Sequence, residues 1–418
     1  MSRERLIERL EALAPGAWEL YSKHGVSREI RHAPRETAET SRTEEGFAAR
    51  WWDPAPRFAA AGDTAALAEA VERARETPAP GGSCPVWPTG AAAVPQTSSM
   101  AADESPPELH DELARLVAAE SRGEATLTEL TVRRGRTVER VVNAAGLDVG
   151  WGASALTGFA SAVGRRGTRA CEARMSFRWD GAPELATLAR RLSDRATLPL
   201  SDRSAAVDRG DWLLEPSVGA ALLAGLAPLF CRETTARWPA RGGLLAPEVT
   251  IVDDAGPDAP FDGEGTRTRR VVVFEKGGLS LPLRDLDAAR RDRAFSTGNG
   301  VRRSYRTPPR LGARRLFFET GRPAPPRELL AAVRRGLFAS ALTAPWRCDL
   351  ENDRYEAEFT GIAVIAGRAQ GPVAAARSRG RLSELLRRIT ALAPSGETFP
   401  SPEPVLGATL LAERVPFD

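Results

Sequence analysis

Histidine is almost missing from these 418 residues, with 3 in all, His24, His32 and His110, each in the first third of the chain. A catalytic zinc site takes about three protein ligands, usually with histidine among them. No HExxH pair occurs, and a serine nucleophile in the second half would find no histidine base there. GxSxG is also absent. The 4 cysteines, Cys84, Cys171, Cys231 and Cys348, stand far apart without a CxxC pair. That spacing suits neither a zinc knuckle nor a disulfide framework, so they read as buried or incidental thiols. Long apolar runs are missing too. The longest, "VGAALLAGLAPLF" at 218–230, falls short of the roughly 20 residues a membrane helix needs. The opening "MSRERLIERLEALAPGAW" has charges threaded through its apolar positions, which excludes the apolar core of a signal peptide and predicts an amphipathic helix. A cytoplasmic chain without a membrane segment is expected. Neither sign of charge dominates: Lys+Arg 58 against Asp+Glu 55 leaves +3, and the arginines are scattered among acids. This argues against nucleic acid as the main partner.

What is present is an ordinary folded composition, 42% hydrophobic and 27% charged. The length predicts two domains, because one hydrophobic core seldom organises this many residues. Short alternating segments, "AWELYSKHG", "VSREIRHAP", "ETAETSRTEEG" and "FAARWWDP", read as antiparallel strands with one wet face. Asp63 is placed to cap a helix whose Leu67, Ala70, Val71 and Ala74 share a face. Residues 77–107, dense in Pro, Gly, Ser and Ala, form a long surface excursion in which partial disorder is expected. Helices are expected at "PELHDELARLVAAESR" and at "APELATLARRLSDRA", the latter with Leu185, Leu188, Ala189 and Leu192 inward. The strands between them are "ATLTELTVRRG", "RTVERVVNAAG" and "SALTGFASAVGRRGTRACEARMSFRW". The texture changes near 205, which divides the chain into 1–204 and 205–418. Beyond that point "RGDWLLEPSVGAALLAGLAPLF" is a strand entering a buried helix, followed by strands "EVTIVDD", "RRVVVFEKGG", "RRLFFETG" and "AEFTGIAVIAGRA" and helices "PPRELLAAVRRGLFA" and "RLSELLRRITALA". The predicted class is α+β, two domains with mainly antiparallel sheets and packed helices.

Two stretches of the second half carry the candidate chemistry. "VDDAGPDAPFDGEG" at 252–265 gathers Asp253, Asp254, Asp258, Asp262 and Glu264, but the spacing misses the EF-hand pattern, and acidic turns between strands are ordinarily solvated loops. "AFSTGNG" at 294–300 puts Ser296 and Thr297 in a glycine-rich loop that could hold a peptide backbone better than it could supply a nucleophile. The cleft candidates are therefore Asp262, Gly263, Glu264 and Gly265 in the turn and Ser296, Thr297, Gly298 and Asn299 in the loop. Alternatives stay open: the turn reads equally well as self-satisfied structure, and a hydrolase working through Ser296 ranks last for want of a base.

The order of these motifs, "FDGEGTRTRRVVVFEKGGLSLPLRDLDAARRDRAFSTGN", resembles the TldD/PmbA family, whose members have been called modulators of DNA gyrase and include zinc peptidase subunits. "RETAETSRTEEGFAARWW", "VERVVNAAGLDVG" and "YEAEFTGIAVIAGRAQGPV" extend the resemblance over nearly the whole chain. In the zinc-bearing TldD branch the resemblance implies a helix with His-Glu and a second His, and a downstream Cys. The corresponding stretch here, "SVGAALLAGLAPLF", has no ionisable group, and Cys348 alone cannot hold a metal. The chain thus resembles the PmbA (TldE) branch, which implies a metal-free, non-catalytic subunit without cofactor, partnering a TldD-like zinc subunit on unfolded or modified peptides. "TPPRLGARRLFFETG" departs from that branch's pattern. The alternative is a peptide-binding or scaffold homodimer without a peptidase partner. Phe317, Phe318, Phe338, Trp346 and Phe417 are more large apolar groups than the second half obviously needs, so a dimer, homomeric or heteromeric, is expected.

Overall fold

The computed structural model describes residues 2–53, 55–76, 84–91, 108–179, 182–201, 205, 209–231, 245–400 and 405–416. The first helix, α1 (Arg3–Leu13), starts at Ser2, whose hydroxyl accepts from the Arg5 amide, and buries Leu6 and Leu10 completely. Then come β1 (Trp18–Ala33), β2 (Glu36–Trp52), β3 (Pro56–Ala61), α2 (Thr64–Ala74), α3 (Glu108–Glu120), β4 (Ala125–Asn143), β5 (Asp148–Arg166) and β6 (Arg169–Trp179). These six strands make one antiparallel sheet in the order β3-β2-β1-β4-β5-β6. Asp63 caps α2 by accepting from the Ala65 and Ala66 amides, which satisfies two of the donors that a helix start leaves open.

The sheet corrects the reading of short strands. "AWELYSKHG" and "VSREIRHAP" are one strand, as are "ETAETSRTEEG" with "FAARWW" and "ATLTELTVRRG" with "RTVERVVN". Glycines that look like turns sit inside the ladder, Gly25 opposite Thr137 and Gly46 opposite Lys23. Gly46 has a specific reason: a Cβ there would lie 2.2 Å from the ring of Tyr305, a residue of the second half that packs flat onto this sheet.

After α4 (Leu185–Thr197), the second half runs β7 (Arg209–Leu214), α5 (Pro216–Leu226), β8 (Val249–Asp253), β9 (Val271–Glu275), β10 (Gly278–Leu279), α6 (Leu286–Asp292), β11 (Gly300–Val301), β12 (Arg310–Leu311) and β13 (Leu316–Thr320). It ends with α7 (Pro326–Ala332), β14 (Arg335–Leu342), β15 (Arg347–Asp349), β16 (Arg354–Ile365), β17 (Arg368–Arg381), α8 (Leu382–Arg387), β18 (Ile389–Phe399) and β19 (Val405–Pro416). The second sheet has the order β10-β9-β8-β13-β19-β7-β14-β16-β15, with β17 on β16 and β18 on β19. Its pairs are mainly antiparallel, so the α+β class holds. Alternation along β7 sends Trp212 and Leu214 to the face covered by α5 and Leu213 to the face covered by α7.

The helices expected at "PPRELLAAVRRGLFA" and "RLSELLRRITALA" are shorter than predicted, ending at Ala332 and Arg387 and giving way to β14 and β18. Inside β14, Gly336 lies so close to β7 that a Cβ would meet the Asp211 carbonyl at 1.9 Å, a strand contact that overrides helical propensity. The aromatic surplus is also corrected. Phe318 is 1% exposed, and Trp346 and Phe338 pack against the two clusters of the second sheet. Phe317 is half-buried, and Phe417 lies outside the described residues. Of the five, Phe318 is buried in the core and Trp346 and Phe338 pack at its margins. Of the 77–107 excursion only 84–91 is described, held to the first sheet by Asn143 Nδ2 donating to the Pro88 carbonyl at 2.9 Å and by the Asp148 amide donating to the Gly90 carbonyl at 2.9 Å.

Candidate functional site

The acidic turn and the Ser-Thr loop do come together, at the seam between the two sheets. Asp262 is fully buried and acts as a hub. Its Oδ1 accepts from the amides of Glu264 and Thr266, both at 2.9 Å, and its Oδ2 accepts from the Gly300 amide at 2.8 Å. Gly263 fits because its amide donates to the Gly300 carbonyl at 2.7 Å, where a Cβ would be 2.6 Å from that of Arg302. Gly265, at φ +74, presses against Leu147 of the first half, which a Cβ would approach to 2.3 Å. In the loop, Thr297 Oγ1 donates to Asn299 Oδ1 at 2.6 Å, and Asn299 Nδ2 donates to Asp253 Oδ2 at 2.7 Å and to the Gly312 carbonyl at 3.0 Å. The Ser296 hydroxyl lies 3.1 Å from the Arg284 carbonyl and accepts from the Gly298 amide at 3.1 Å, a turn-closing role with no base beside it.

Four charged groups that the sequence reading missed complete the seam. Glu264 Oε2 accepts from the Leu286 amide at 2.8 Å, while its Oε1 accepts from Arg50 at 3.2 Å. Arg50 is the cross-strand neighbour of Glu19, to which it donates at 2.6 Å. Arg302 donates to the same Glu19 at 2.5 Å and to the Gly263 carbonyl at 3.2 Å, its guanidinium 4.3 Å from the centre of the Tyr21 ring. Asp285 adds a further negative charge near Glu264. The available signal was a charge flanked by large apolar residues inside a strand, Glu19 in "WELY" and Arg50 in "AARWW".

Asp262, Glu264, Thr297 and Asn299 are each no more than 3% exposed, and their polar atoms are bonded to backbone amides and carbonyls of the seam, to Arg50, to Asp253 and to each other, which favours the self-satisfied turn over a cleft. Of the other acids, Asp253 accepts from the Arg314 and Arg315 amides, Asp254 closes a turn onto the Gly256 amide, and Asp258 is exposed.

Burial pushes the carboxyls of the seam up, Glu264 to about 8 and Asp262 to about 6, with Asp262 and Asp285 raising Glu264 further against the pull of Arg50. The folded chain therefore keeps a proton that the unfolded chain has released at the same pH. The stabilisation is complete below the ordinary glutamate value and is lost as pH rises through about 8. Stability should fall between about pH 5 and 8, by about 1.4 kcal/mol per pH unit for each extra proton held. Glu264→Gln should flatten that slope in urea melts across the range. An unchanged slope would place the titration elsewhere.

The open volume lies elsewhere, along α4. One cavity of about 500 Å³ opens between the second sheet, α4 and α7, and another of about 500 Å³ lies between β6 and β18. Thr187, Arg191 and Glu397 belong to both. Arg191, 6% exposed, donates through Nε to Glu215 and through Nη1 to Glu397 at 2.6 Å. Glu215 in turn caps α5, accepting from the Ser217 amide at 2.9 Å.

A zinc ion, which the resemblance implies for the TldD branch, does not fit this chain's donors. α5 presents Val218, Leu222, Leu223 and Leu226 to the core, and Gly225 faces the Cys348 Sγ, which would be 3.0 Å from a Cβ there. Burial pushes the Cys348 thiol up to about 11, so it stays protonated at neutral pH. Among the described residues no group of three His, Cys, Asp or Glu side chains converges as a metal set. His32 instead stacks on His110 with ring centres 4.9 Å apart.

Residues 241–416 match the family model of the PmbA/TldA metallopeptidase C-terminal domain. No curated protein matches the sequence. Among solved structures, the whole chain resembles TldE from Thermococcus kodakarensis, with TM-score 0.84 and 18% identity over 99% of both chains. A protein named as a modulator of a DNA gyrase from Thermotoga maritima gives TM-score 0.80 and 16% identity over 100% of both. Another so named, from Bacteroides thetaiotaomicron, gives 0.71 and 16% over 99% of this chain and 98% of that one. The family match is thus to the C-terminal part of the chain, and the structural likenesses, at 16–18% identity, show the fold.

Proposed function

We propose that this chain, with a PmbA/TldA-type C-terminal domain on a TldE-like fold, is a non-catalytic, metal-free subunit of a TldD/PmbA-type peptidase system that helps bind unfolded or modified peptides in the cytoplasm. The observation that carries this reading is α5, which stands where the TldD branch is implied to carry its His-Glu and His ligands. Here it is apolar on every buried position, and burial keeps the Cys348 thiol beside Gly225 protonated. A side chain in that pocket can neither ligate zinc nor activate a water. No helix of the described residues is long and apolar enough to cross a membrane.

The reading requires a TldD-like zinc subunit as partner. The homodimer alternative is weakened at Phe318, which is buried in the second half, while Phe317, Phe338 and Trp346 are half-buried. Elemental analysis of the purified chain should return substoichiometric zinc, and pull-down from the native host should bring down a chain with the His-Glu and His helix. Stoichiometric zinc, or chelator-sensitive cleavage of casein by the chain alone, would overturn the assignment.

A further inference from the structure

We propose that the cavity between α4, α7 and the second sheet is a binding site for the C-terminal residue of a peptide, taking an apolar side chain inside and the free carboxylate at its rim. The inference rests on the peptide-binding reading above and names which part of the peptide is recognised. Leu213, Phe338, Ile362 and Val364, from β7, β14 and β16, form the floor. They lie on the sheet face opposite the buried side of α5, and the cavity meets that helix only at its start, Glu215 and Pro216. At about 500 Å³ the cavity has the size of a small-molecule site, apolar with a few convergent charges.

The charges at its mouth select an anion. Two carboxylates border the cavity, but both are bound to Arg191, and Glu215 is also held by Ser217 and the start of α5. Arg327, exposed on α7, has no ion-pair partner among the described residues. Arg190 has only Asp194, 4.0 Å away on the same helix. A carboxylate entering between these two guanidiniums would gain charge-assisted hydrogen bonds at an apolar wall.

A peptide suits the site better than a simple aliphatic acid because the second cavity continues past Arg191 and Glu397. Its wall is Met175–Trp179 of β6, the last strand of the first sheet, which has no strand on its outer side. Opposite is Gly396–Phe399, where β18 breaks register with β19. The edge of a strand can add an extended polypeptide by backbone hydrogen bonds and offers an alkyl chain nothing comparable.

The test is fluorescence anisotropy with a labelled unstructured hexapeptide ending in leucine, as free acid and as amide, together with a free-acid version ending in aspartate. The leucine acid should bind about tenfold more tightly than either analogue, corresponding to about 1.4 kcal/mol. Arg327→Glu, at an exposed helical position, should erase the preference for acid over amide. Ala369→Trp, at the exposed mouth, should weaken the leucine acid by about tenfold. Equal binding of acid and amide by the unaltered chain, or an acid preference that survives Arg327→Glu, would overturn the C-terminal site while leaving peptide binding intact. Absence of binding by every peptide would overturn both. Binding of decanoate without binding of any peptide would transfer the cavity to a different ligand and end the proposal.

Discussion

Replacing Glu19 with alanine is expected to destabilise the fold by about 3–5 kcal/mol, because it strips two buried guanidiniums of their shared counter-ion. Glu19 is fully buried and receives Arg302 at 2.5 Å and Arg50 at 2.6 Å, and the Arg302 side chain is 0% exposed. Arg50 would keep Glu264, but Arg302 would be left with the Gly263 carbonyl and the face of Tyr21. Neither replaces a carboxylate for a guanidinium whose side chain is fully buried. The pair also joins β1 to the loop after β11, 283 residues apart, so its loss should loosen the contact between the two sheets. Urea denaturation should show a lower midpoint, together with earlier proteolysis between the sheets. Glu19→Gln should recover only part of the loss, since it restores volume without charge. A midpoint unchanged in Glu19→Ala would mean that water reaches the seam in solution.

Arg191→Ala should give the second large effect, again about 3–5 kcal/mol, through the opposite sign of stranded charge. It removes the cation that joins α4 to Glu215, 2% exposed, and to Glu397, 206 residues away. Arg195, also on α4, attracts Glu215 but donates to the Ser217 hydroxyl at 3.3 Å, and burial pushes its pKa down to about 10. Since Glu215 keeps its place at the positive end of α5, Arg191→Ala combined with Glu215→Gln and Glu397→Gln should be more stable than Arg191→Ala alone. If the triple variant is as unstable as the single one, the loss comes from packing of the Arg191 stem against Phe399, whose ring centre lies 5.2 Å from the guanidinium carbon, and not from charge.

Much of the architecture was legible because it depends on local periods. The cap at Asp63, the inward face Leu185, Leu188, Ala189 and Leu192 of α4, and the apolar α5 all follow from spacing of 3.6 residues or from the absence of polar groups over a full turn. The strands were found but cut too short, since an isolated sequence does not distinguish a glycine that ends a strand from one that admits Tyr305. Helices at 326 and 382 were overextended for a related reason: the leucine-rich pattern continues into β14 and β18, and only the neighbouring strands decide where it changes conformation.

The sequence by itself determined the class of fold, the family resemblance and the lack of zinc ligands on α5, because each needs only residue identity and short-range order. The tertiary structure alone decided what the acidic turn does. Its aspartate and glutamate were equally compatible with a cleft and with a knot until Glu19, Arg50 and Arg302 were brought to them from distant strands and loops. Burial then favours the knot: a carboxylate with so little exposure takes the donors the fold delivers, the Gly300 amide for Asp262 and Arg50 for Glu264. The same long-range packing opened the space along α4, where Arg190 and Arg191 stand beside an apolar floor.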